Sequence, residues 1–297
     1  MNKKYTKKYV IINADDLGLC SSTNKAIFDS YTKGILTSAS ILTTCPGFLE
    51  AVKTAKKYPK LGIGVHLSLT LGTPILPPQK IPALVTSENI FHGSFTRLFF
   101  LRSRHSLAQI ENEFSAQIEK ALKAKLPIDH LNSQSHVHMI PSIFPIVMRL
   151  AKKYHIPYVR LSKDRVIWTK NIKQNIFPIL NNNVIKLILL NTLALINKKI
   201  LSTKAISFFG VYHTGDMSKY VLESTFKYIK PGITEVLSHP GYGLNDSDFD
   251  YHPQMMYDFM TSPFRNKELK ALLNPHLKKI ASQNDITFIN FKQASKL

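Results

Sequence analysis

Short apolar runs alternate with amphipathic stretches along most of this chain. The runs have the length of buried strands, and the stretches between them repeat apolar positions at helical spacing. This alternation predicts a parallel sheet covered by helices. The strand-like runs cover residues 9–12, 39–43, 63–69, 130–132, 158–161, 208–212, 235–238 and 286–291. The helical patterns cover residues 22–33, 48–58, 106–125, 143–154, 219–229 and 266–282.

The number of repeats sets the expected architecture. A closed (β/α) barrel repeats this alternation eight times in about 250 residues. An open doubly wound sheet would give the same alternation and stays an alternative. We predict an α/β fold with a single (β/α) barrel-like domain over residues 1–297.

Two segments interrupt the alternation. Residues 71–95 contain four prolines and predict a long loop. Residues 163–207 predict a helical insert, in which residues 184–196 are apolar nearly all round. That stretch is shorter than the roughly 20 residues needed to cross a bilayer. We interpret it as a buried helix, with a surface patch for a partner or a membrane as the alternative.

The charge of the chain is strongly basic, although its composition is otherwise ordinary. Hydrophobic residues make up 44% and charged residues 20%, which excludes a disordered or fibrous chain. The 39 Lys and Arg against 19 Asp and Glu give a net charge of +20, which favours anionic partners. The basic residues occur in pairs rather than in blocks, and no nucleic-acid-binding motif accompanies them. We therefore expect no nucleic-acid partner.

Cysteine content and the N-terminal sequence bear on the compartment. Cys20 and Cys45 are too few for a disulfide framework and lack the spacing of zinc ligands. The N-terminal lysines are followed by too short an apolar run for a signal peptide. We expect a cytoplasmic protein without a transmembrane segment.

Polar residues gather at the ends of the predicted strands. Asp15 and Asp16 directly follow the first strand, and a buried charge must be paired or must bind a metal. In extended backbone the two side chains would point to opposite faces, so one could ligate a cation and the other take a proton. A helix N-cap is the plainer role for a single aspartate.

Histidines add the chemistry of a metal site. His66 lies in an apolar strand, and Gln134, His136 and His138 alternate after another strand, so that extended backbone would put these three on one side. Imidazoles beside a carboxylate suit Zn²⁺ and tolerate other divalent ions. We predict an open three-ligand site made by Asp16, His66 and one histidine of the later group. Such a site can activate water.

Two further candidates stand at later strand ends. Taken singly, Arg160 could be a surface charge and His239 a loop histidine. The active sites of (β/α) barrels, however, lie at the carboxyl ends of the strands. We therefore expect both side chains to face the site.

Four motifs occur in order along the chain: Asn13-Ala-Asp-Asp-Leu-Gly18, Gly64-Val-His66-Leu, His130-Leu-Asn-Ser-Gln-Ser-His-Val-His-Met-Ile-Pro141 and Glu235-Val-Leu-Ser-His-Pro-Gly241. Together they resemble those of the YdjC-like carbohydrate deacetylases. That family includes chitooligosaccharide deacetylases and hopanoid-associated relatives. The likeness extends to Thr37-Ser38 and to Arg265-Asn-Lys-Glu268-Leu, and is weak over residues 163–207. The resemblance implies a barrel-like fold of the glycoside hydrolase and deacetylase type.

The resemblance also implies an activity and roles for single residues. The activity is metal-dependent removal of the acetyl group from an N-acetylglucosamine unit. Asp16 and His66 would hold one divalent ion, Mg²⁺ or Zn²⁺, and Asp15 would be the catalytic base. His239 would be the general acid, and Arg160 would orient the base. The substrate would be an acetylated sugar or oligosaccharide, with or without a lipid carrier, and a homodimer is compatible with this.

One departure from the family pattern concerns the third metal ligand. The family motif Asp-Ser-His-x-His-x-His becomes Asn132-Ser-Gln134-Ser-His136-Val-His138 in this chain. Gln134 therefore stands where the family has a ligand histidine, and its amide oxygen suits Mg²⁺ better than Zn²⁺. We expect His136 to complete the site. Coordination by Gln134 or His138, or loss of metal and activity, are the alternatives.

Two other functions stay open at this stage. A catalytically degenerate sugar-binding protein of the same fold would explain the loss of the family histidine. A glycoside hydrolase would need two carboxylates on opposite sides of the scissile bond. Adjacent Asp15 and Asp16 cannot easily take those positions.

Overall fold

Each of the eight predicted apolar runs overlaps a strand in the computed structural model, which describes residues 6–204, 206–243 and 260–297. Nearly all residues of the central strands are buried, because both faces of a parallel sheet are covered. The strands are β1 (Lys8–Leu17), β2 (Ser38–Ile41), β3 (Gly62–Leu67), β4 (Ile128–Ser133), β5 (Tyr158–Val159), β6 (Ser207–Phe209), β7 (Gly232–Ser238) and β8 (Ile286–Phe288).

Helices follow the amphipathic stretches, with one break that the sequence pattern did not predict. The stretch 266–282 forms two helices, because Pro275 lacks an N–H and disfavours helical backbone at Asn274. The described helices are α1 (Ser21–Thr32), α2 (Phe48–Ala55), α3 (Phe95–Phe100), α4 (Arg104–Lys123), α5 (Phe144–Lys153), α6 (Ile172–Leu180), α7 (Asn183–Asn197), α8 (Lys219–Tyr228), α9 (Pro263–Leu272), α10 (Pro275–Gln283) and α11 (Phe291–Ala294).

The strands form one curled parallel sheet. Their order is β5-β4-β3-β2-β1-β7-β6, with β8 beside the start of β1. Tyr158 of the edge strand β5 packs in one cluster with Ile11 of β1, Ile233 of β7 and Phe291, although β5 lies four strands from β1 in the order. The sheet therefore curls into a half-barrel, which confirms the predicted (β/α) barrel-like fold. Within the described residues, the edge strands β5 and β6 do not pair with each other.

The interior of the curl is tightly filled below the strand ends. The His130 ring stacks on Phe291 at 3.9 Å between centroids. A side chain at Gly64 would place its Cβ 2.4 Å from that ring, so glycine is required there by the close approach. The packed interior leaves the carboxyl ends of the strands as the place where polar side chains can meet.

The segment 163–207 holds α6 and α7, with a bend of 71° between them. One face of α7 packs into the core through Leu187, Leu190 and Leu193, and the other face is exposed. The expectation of a buried helix is therefore right for one face only. In the part of the chain that is described, no single helix is long and apolar enough to cross a membrane, whereas α6 and α7 pass that test as a bent pair.

Candidate active site

The end of β1 places two consecutive carboxylates, Asp15 and Asp16, beside the ring of His66. Asp16 has a φ of 72°, and the register of β1 against β2 shifts between Ala14 and Leu17. Asp15 Oδ2 lies 3.8 Å from His66 Nδ1, and Asp16 Oδ1 lies 3.6 Å from His66 Nε2. The expectation that the two carboxylates face opposite sides is wrong, because this bulge breaks the alternation of the strand. Strained backbone at such a point is common in functional sites.

Asp15 forms a buried, two-point ion pair with Arg160, the residue that follows β5. Arg160 donates through NH1 to Asp15 Oδ2 at 2.6 Å and through NH2 to Oδ1 at 2.8 Å. Its Nε and NH2 also donate to Glu235 Oε1 at 2.9 and 2.6 Å. Burial alone would raise the pKa of Asp15, but the charge and the hydrogen bonds of Arg160 hold that pKa well below its ordinary range. Asp15 is therefore ionised near neutral pH and fixed in orientation.

Asn132 determines which nitrogen of the His66 ring carries the hydrogen. Its Nδ2 donates to Asp15 Oδ1 at 3.0 Å and to Ser40 Oγ at 2.7 Å. Its Oδ1 is therefore an acceptor and lies 2.7 Å from His66 Nδ1. The Nδ1 atom must carry the hydrogen of this bond, so in the neutral ring Nε2 presents a lone pair.

A tight turn after β4 decides which residue that lone pair faces. Gln134–Met139 is a 3₁₀ turn in which Ser135 and His136 have φ values of 51° and 54°. The expectation of an extended run with Gln134, His136 and His138 on one side is therefore wrong. Gln134 Oε1 lies 3.0 Å from His66 Nε2.

The two histidines of the turn bond elsewhere. His136 Nδ1 lies 2.9 Å from Ser162 Oγ, and His138 Nε2 donates to the carbonyl oxygen of Arg160 at 2.9 Å. Burial lowers the pKa of His136 well below its ordinary value and lowers that of His138 to about 3. Both rings are therefore neutral near pH 7, and His138 helps to support the backbone that carries Arg160.

Three electron-pair donors converge at Asp16, His66 and Gln134. Asp16 Oδ1 is buried and has no hydrogen-bond donor among the described residues, while Oδ2 accepts from Arg265 NH1 at 3.0 Å. A buried carboxylate oxygen and an amide oxygen on either side of an imidazole lone pair fit a bound cation. Over the described ranges, no three His, Cys, Asp or Glu side chains gather closely enough to hold a metal ion. The predicted set Asp16, His66 and His136 is thus not assembled here.

His239 directly follows β7. Its backbone N–H donates to Glu268 Oε2 at 2.5 Å, and Ser238 Oγ donates to the same atom at 2.9 Å. Burial lowers the pKa of the His239 imidazole more than the charges of Glu268 and Asp16 raise it. The ring is therefore neutral near pH 7 and able to accept a proton.

Sequence reasoning left several of these residues without a role. Glu235 lies at the centre of β7, and an acid in a buried strand signals a buried cation as its partner. Arg265 and Glu268 are one turn apart on α9, which places them on one helix face. Neither the buried acid nor the helical spacing identifies the residues that these side chains contact, because those residues lie on distant strands.

Comparison with known proteins identifies the family. The chain matches the family described as YdjC-like protein over residues 9–283. A carbohydrate deacetylase of Brevibacillus brevis is 37% identical over 148 residues, which are 50% of this chain and 57% of that relative. This match spans little more than half of the relative's length. A carbohydrate deacetylase of Thermoanaerobacter pseudethanolicus is 27% identical over 291 residues, which are 96% of this chain and 98% of that relative.

A solved structure shares the fold along the whole chain. The crystal structure of a candidate cellobiose-phosphate cleavage protein from Enterococcus faecalis V583 superimposes with a TM-score of 0.74 at 23% identity. The superposition covers 97% of this chain and 99% of that one. Since the family match runs from β1 to the end of α10, this chain belongs to the YdjC-like protein family.

Proposed function

We propose that this chain is a carbohydrate deacetylase, a hydrolase that removes an N-acetyl group from a sugar containing N-acetylglucosamine. The observation that carries the proposal is the placement of Asp15 and Asp16 against the two nitrogens of His66. The relatives named carbohydrate deacetylase support the same reaction class, one of them over nearly the full length of both chains.

Asp16, His66 and Gln134 are the residues that would hold a divalent ion. When bound, such an ion polarises the acetyl carbonyl and lowers the pKa of a water. Two oxygen donors and one imidazole favour a harder ion, which makes Mg²⁺ a better fit than Zn²⁺. His136, the residue expected from the sequence, is the second candidate for the third ligand.

Asp15 is placed to accept a proton from the attacking water. Arg160 holds both of its oxygens, so the carboxylate is ionised and cannot rotate away. The same contacts lower its affinity for a proton, which it therefore holds only briefly. His239 is neutral in the resting protein, so it would first take up the proton that Asp15 releases and would then deliver it to the amine as the C–N bond breaks.

The overall reaction consumes one water and yields acetate and a free amine. Glu235 and Glu268 would not touch the substrate in this scheme. Glu235 balances the charge of Arg160, and Glu268 holds the backbone of His239.

A non-catalytic sugar-binding protein of the same fold is the second candidate, favoured by Gln134 in the place of a family histidine. A glycoside hydrolase fits less well, because Asp15 and Asp16 lie against one ring rather than across a cleft. Product analysis with N-acetylated oligosaccharides distinguishes the three. Free acetate supports the deacetylase, shortened sugars support the glycoside hydrolase, and binding without products supports the degenerate protein.

A further inference from the structure

Helices α6 and α7 carry a row of apolar side chains that nothing in the described chain covers. On α7 the row lies opposite the face that packs into the core, so this helix is apolar on two sides. The exposed fraction runs from 39% at Leu189 to 75% at Leu180. The row comprises Ile172, Ile176, Ile179 and Leu180 on α6, and Ile185, Ile188, Leu189, Leu195 and Ile196 on α7.

The spacing of these residues is that of one helix face. On α6 they recur three or four positions apart. On α7 they do so from Ile185 to Leu189, and the same face continues through exposed Thr192 to Leu195. Trp168, the only tryptophan of the chain, precedes α6 and is 62% exposed. Large exposed apolar patches are rare on proteins that act alone in water, and they mark interaction surfaces.

Basic residues border this apolar row. Lys163, Lys170, Lys198 and Lys199 are exposed at the two ends of the helices. The only acidic residue of the sequence 163–207 is Asp164, which is buried and accepts backbone N–H groups from residues 210–212. The exposed surface of the insert is therefore apolar and cationic, without an acidic side chain.

A basic cavity continues this surface. It measures about 500 Å³ and lies between α6, α8 and α9. Its volume and positive charge suit an anionic headgroup. The lysines that line it are Lys173, Lys219, Lys267 and Lys270, of which Lys267 is paired with Asp216 of the same lining.

We propose that this insert docks on the surface of an anionic phospholipid bilayer, with the apolar rows of α6 and α7 in the interface. Helices with one apolar stripe, flanking lysines and a tryptophan lie in the plane of a membrane in this way. A second copy of the chain is a poorer occupant, because it would bring two basic faces of a protein of net charge +20 together.

The docked insert would bring the candidate active site close to the membrane. Asn197 of α7 donates to the carbonyl oxygen of Met139 at 2.7 Å, so the helix packs on the turn that carries Gln134. Lys186, also on α7, is half-buried. Burial lowers its pKa, and the negative charge of Asp15 opposes part of that shift. If the proposed deacetylase function holds, acetylated sugars carried by a lipid are the substrate class that this arrangement favours.

The test is flotation of the full chain with vesicles of phosphatidylcholine, alone or mixed with phosphatidylglycerol. We expect the bound fraction to be at least about fivefold higher on the anionic vesicles, since each lysine near such a surface adds roughly 1 kcal/mol. The fluorescence of Trp168 should shift to shorter wavelength with those vesicles only. Absence of binding, or equal binding to both vesicle types, would overturn the proposal.

Matched variants locate the surface. Ile188→Gln with Leu195→Gln, and Lys198→Glu with Lys199→Glu, should each reduce binding several-fold. Leu49→Gln, at an apolar residue of α2 that is 75% exposed, and Lys56→Glu with Lys57→Glu should bind like the parent. Equal losses in both sets would contradict a site on the insert.

Two further measurements separate membrane docking from the proposed catalytic function and from dimerisation. Asp15→Asn should bind vesicles like the parent, so a failure of the proposed function is separate from a failure of docking. Sedimentation velocity without vesicles measures whether the chain dimerises. A dimer that is abolished by Ile188→Gln with Leu195→Gln would show that a second copy covers the apolar row. This result would overturn the membrane proposal.

Discussion

The amide oxygen of Gln134 lies 3.0 Å from Nε2 of His66, on the side of the ring that also faces Asp16. Asn132 fixes the hydrogen of that ring on Nδ1, so oxygen atoms and a nitrogen lone pair meet without a donor between them. In the family motif a histidine stands at position 134. In the proposed metal site this exchange would replace a nitrogen ligand by an oxygen ligand, and it would therefore change which ion the site prefers.

The first prediction concerns Gln134→His, which restores the histidine of the family motif. Gln134→His should tighten Zn²⁺ binding by about tenfold or more, because two imidazoles and a carboxylate form a typical zinc set. Isothermal titration calorimetry on metal-stripped protein measures this without reference to activity. His136→Gln is the matched variant and should leave the affinity unchanged. The opposite pattern, with His136→Gln abolishing binding and Gln134→His having no effect, would assign the third ligand to His136.

The role of Asp15 can be separated from metal binding. Asp15→Asn keeps the shape of the side chain but removes the charge that accepts a proton. We expect turnover to fall by roughly 10²- to 10⁴-fold, the usual contribution of general base catalysis. Metal content, measured by mass spectrometry, should stay at the parent level. A variant that retains most of its turnover would remove Asp15 from the role of base.

The Arg160 ion pair should contribute strongly to stability as long as both partners are present. Arg160→Met would leave Asp15 and Glu235 as buried carboxylates without a counter-charge, which costs about 3–5 kcal/mol. The control is Arg149→Met, which breaks the half-exposed pair with Glu111 and should cost less than about 1 kcal/mol. Urea unfolding gives both values. Equal effects of the two substitutions would contradict the buried network.

The buried histidines predict a loss of stability in mild acid. Burial lowers the pKa of His138 to about 3, whereas the unfolded chain has a value near 6.5. Its contribution to stability is therefore complete above pH 6.5 and declines as the pH falls towards 3. Between pH 7 and pH 5 this single group should reduce the free energy of unfolding by about 2 kcal/mol.

Denaturant unfolding of His138→Gln at both pH values checks this assignment. The variant should lose about 2 kcal/mol less than the parent between pH 7 and pH 5. His276→Gln changes a half-exposed histidine and should follow the parent. Parallel pH dependence of all three proteins would show that His138 does not titrate on unfolding.

The fold could be predicted from the sequence because its signal is local. Apolar runs of strand length alternating with amphipathic stretches predicted all eight strands, and their carboxyl ends carry Asp15, His66, Arg160 and His239. The arrangement within the site was less accessible. It depends on the positive φ of Asp16 and on the turn at residues 134–139, and both break the strand alternation on which the sequence analysis relied.

Partners across the sheet were also beyond the reach of pattern reasoning. Arg160 meets Glu235 because the sheet curls, and no spacing along the chain encodes that approach. The exposed face of α7 could not be assigned from the sequence for a different reason. Both of its faces are apolar, so composition alone could not tell a buried helix from one that covers the core on one side and faces outwards on the other.

The most direct test of the account is acetate release from N-acetylglucosamine oligosaccharides by metal-stripped protein, with Mg²⁺ or Zn²⁺ added back. The account predicts stoichiometric acetate and free amine, restored better by Mg²⁺ than by Zn²⁺, and formed at least about 10²-fold more slowly by Asp15→Asn. Sugar binding without acetate release under every metal condition would contradict it and would identify the chain as a degenerate binding protein.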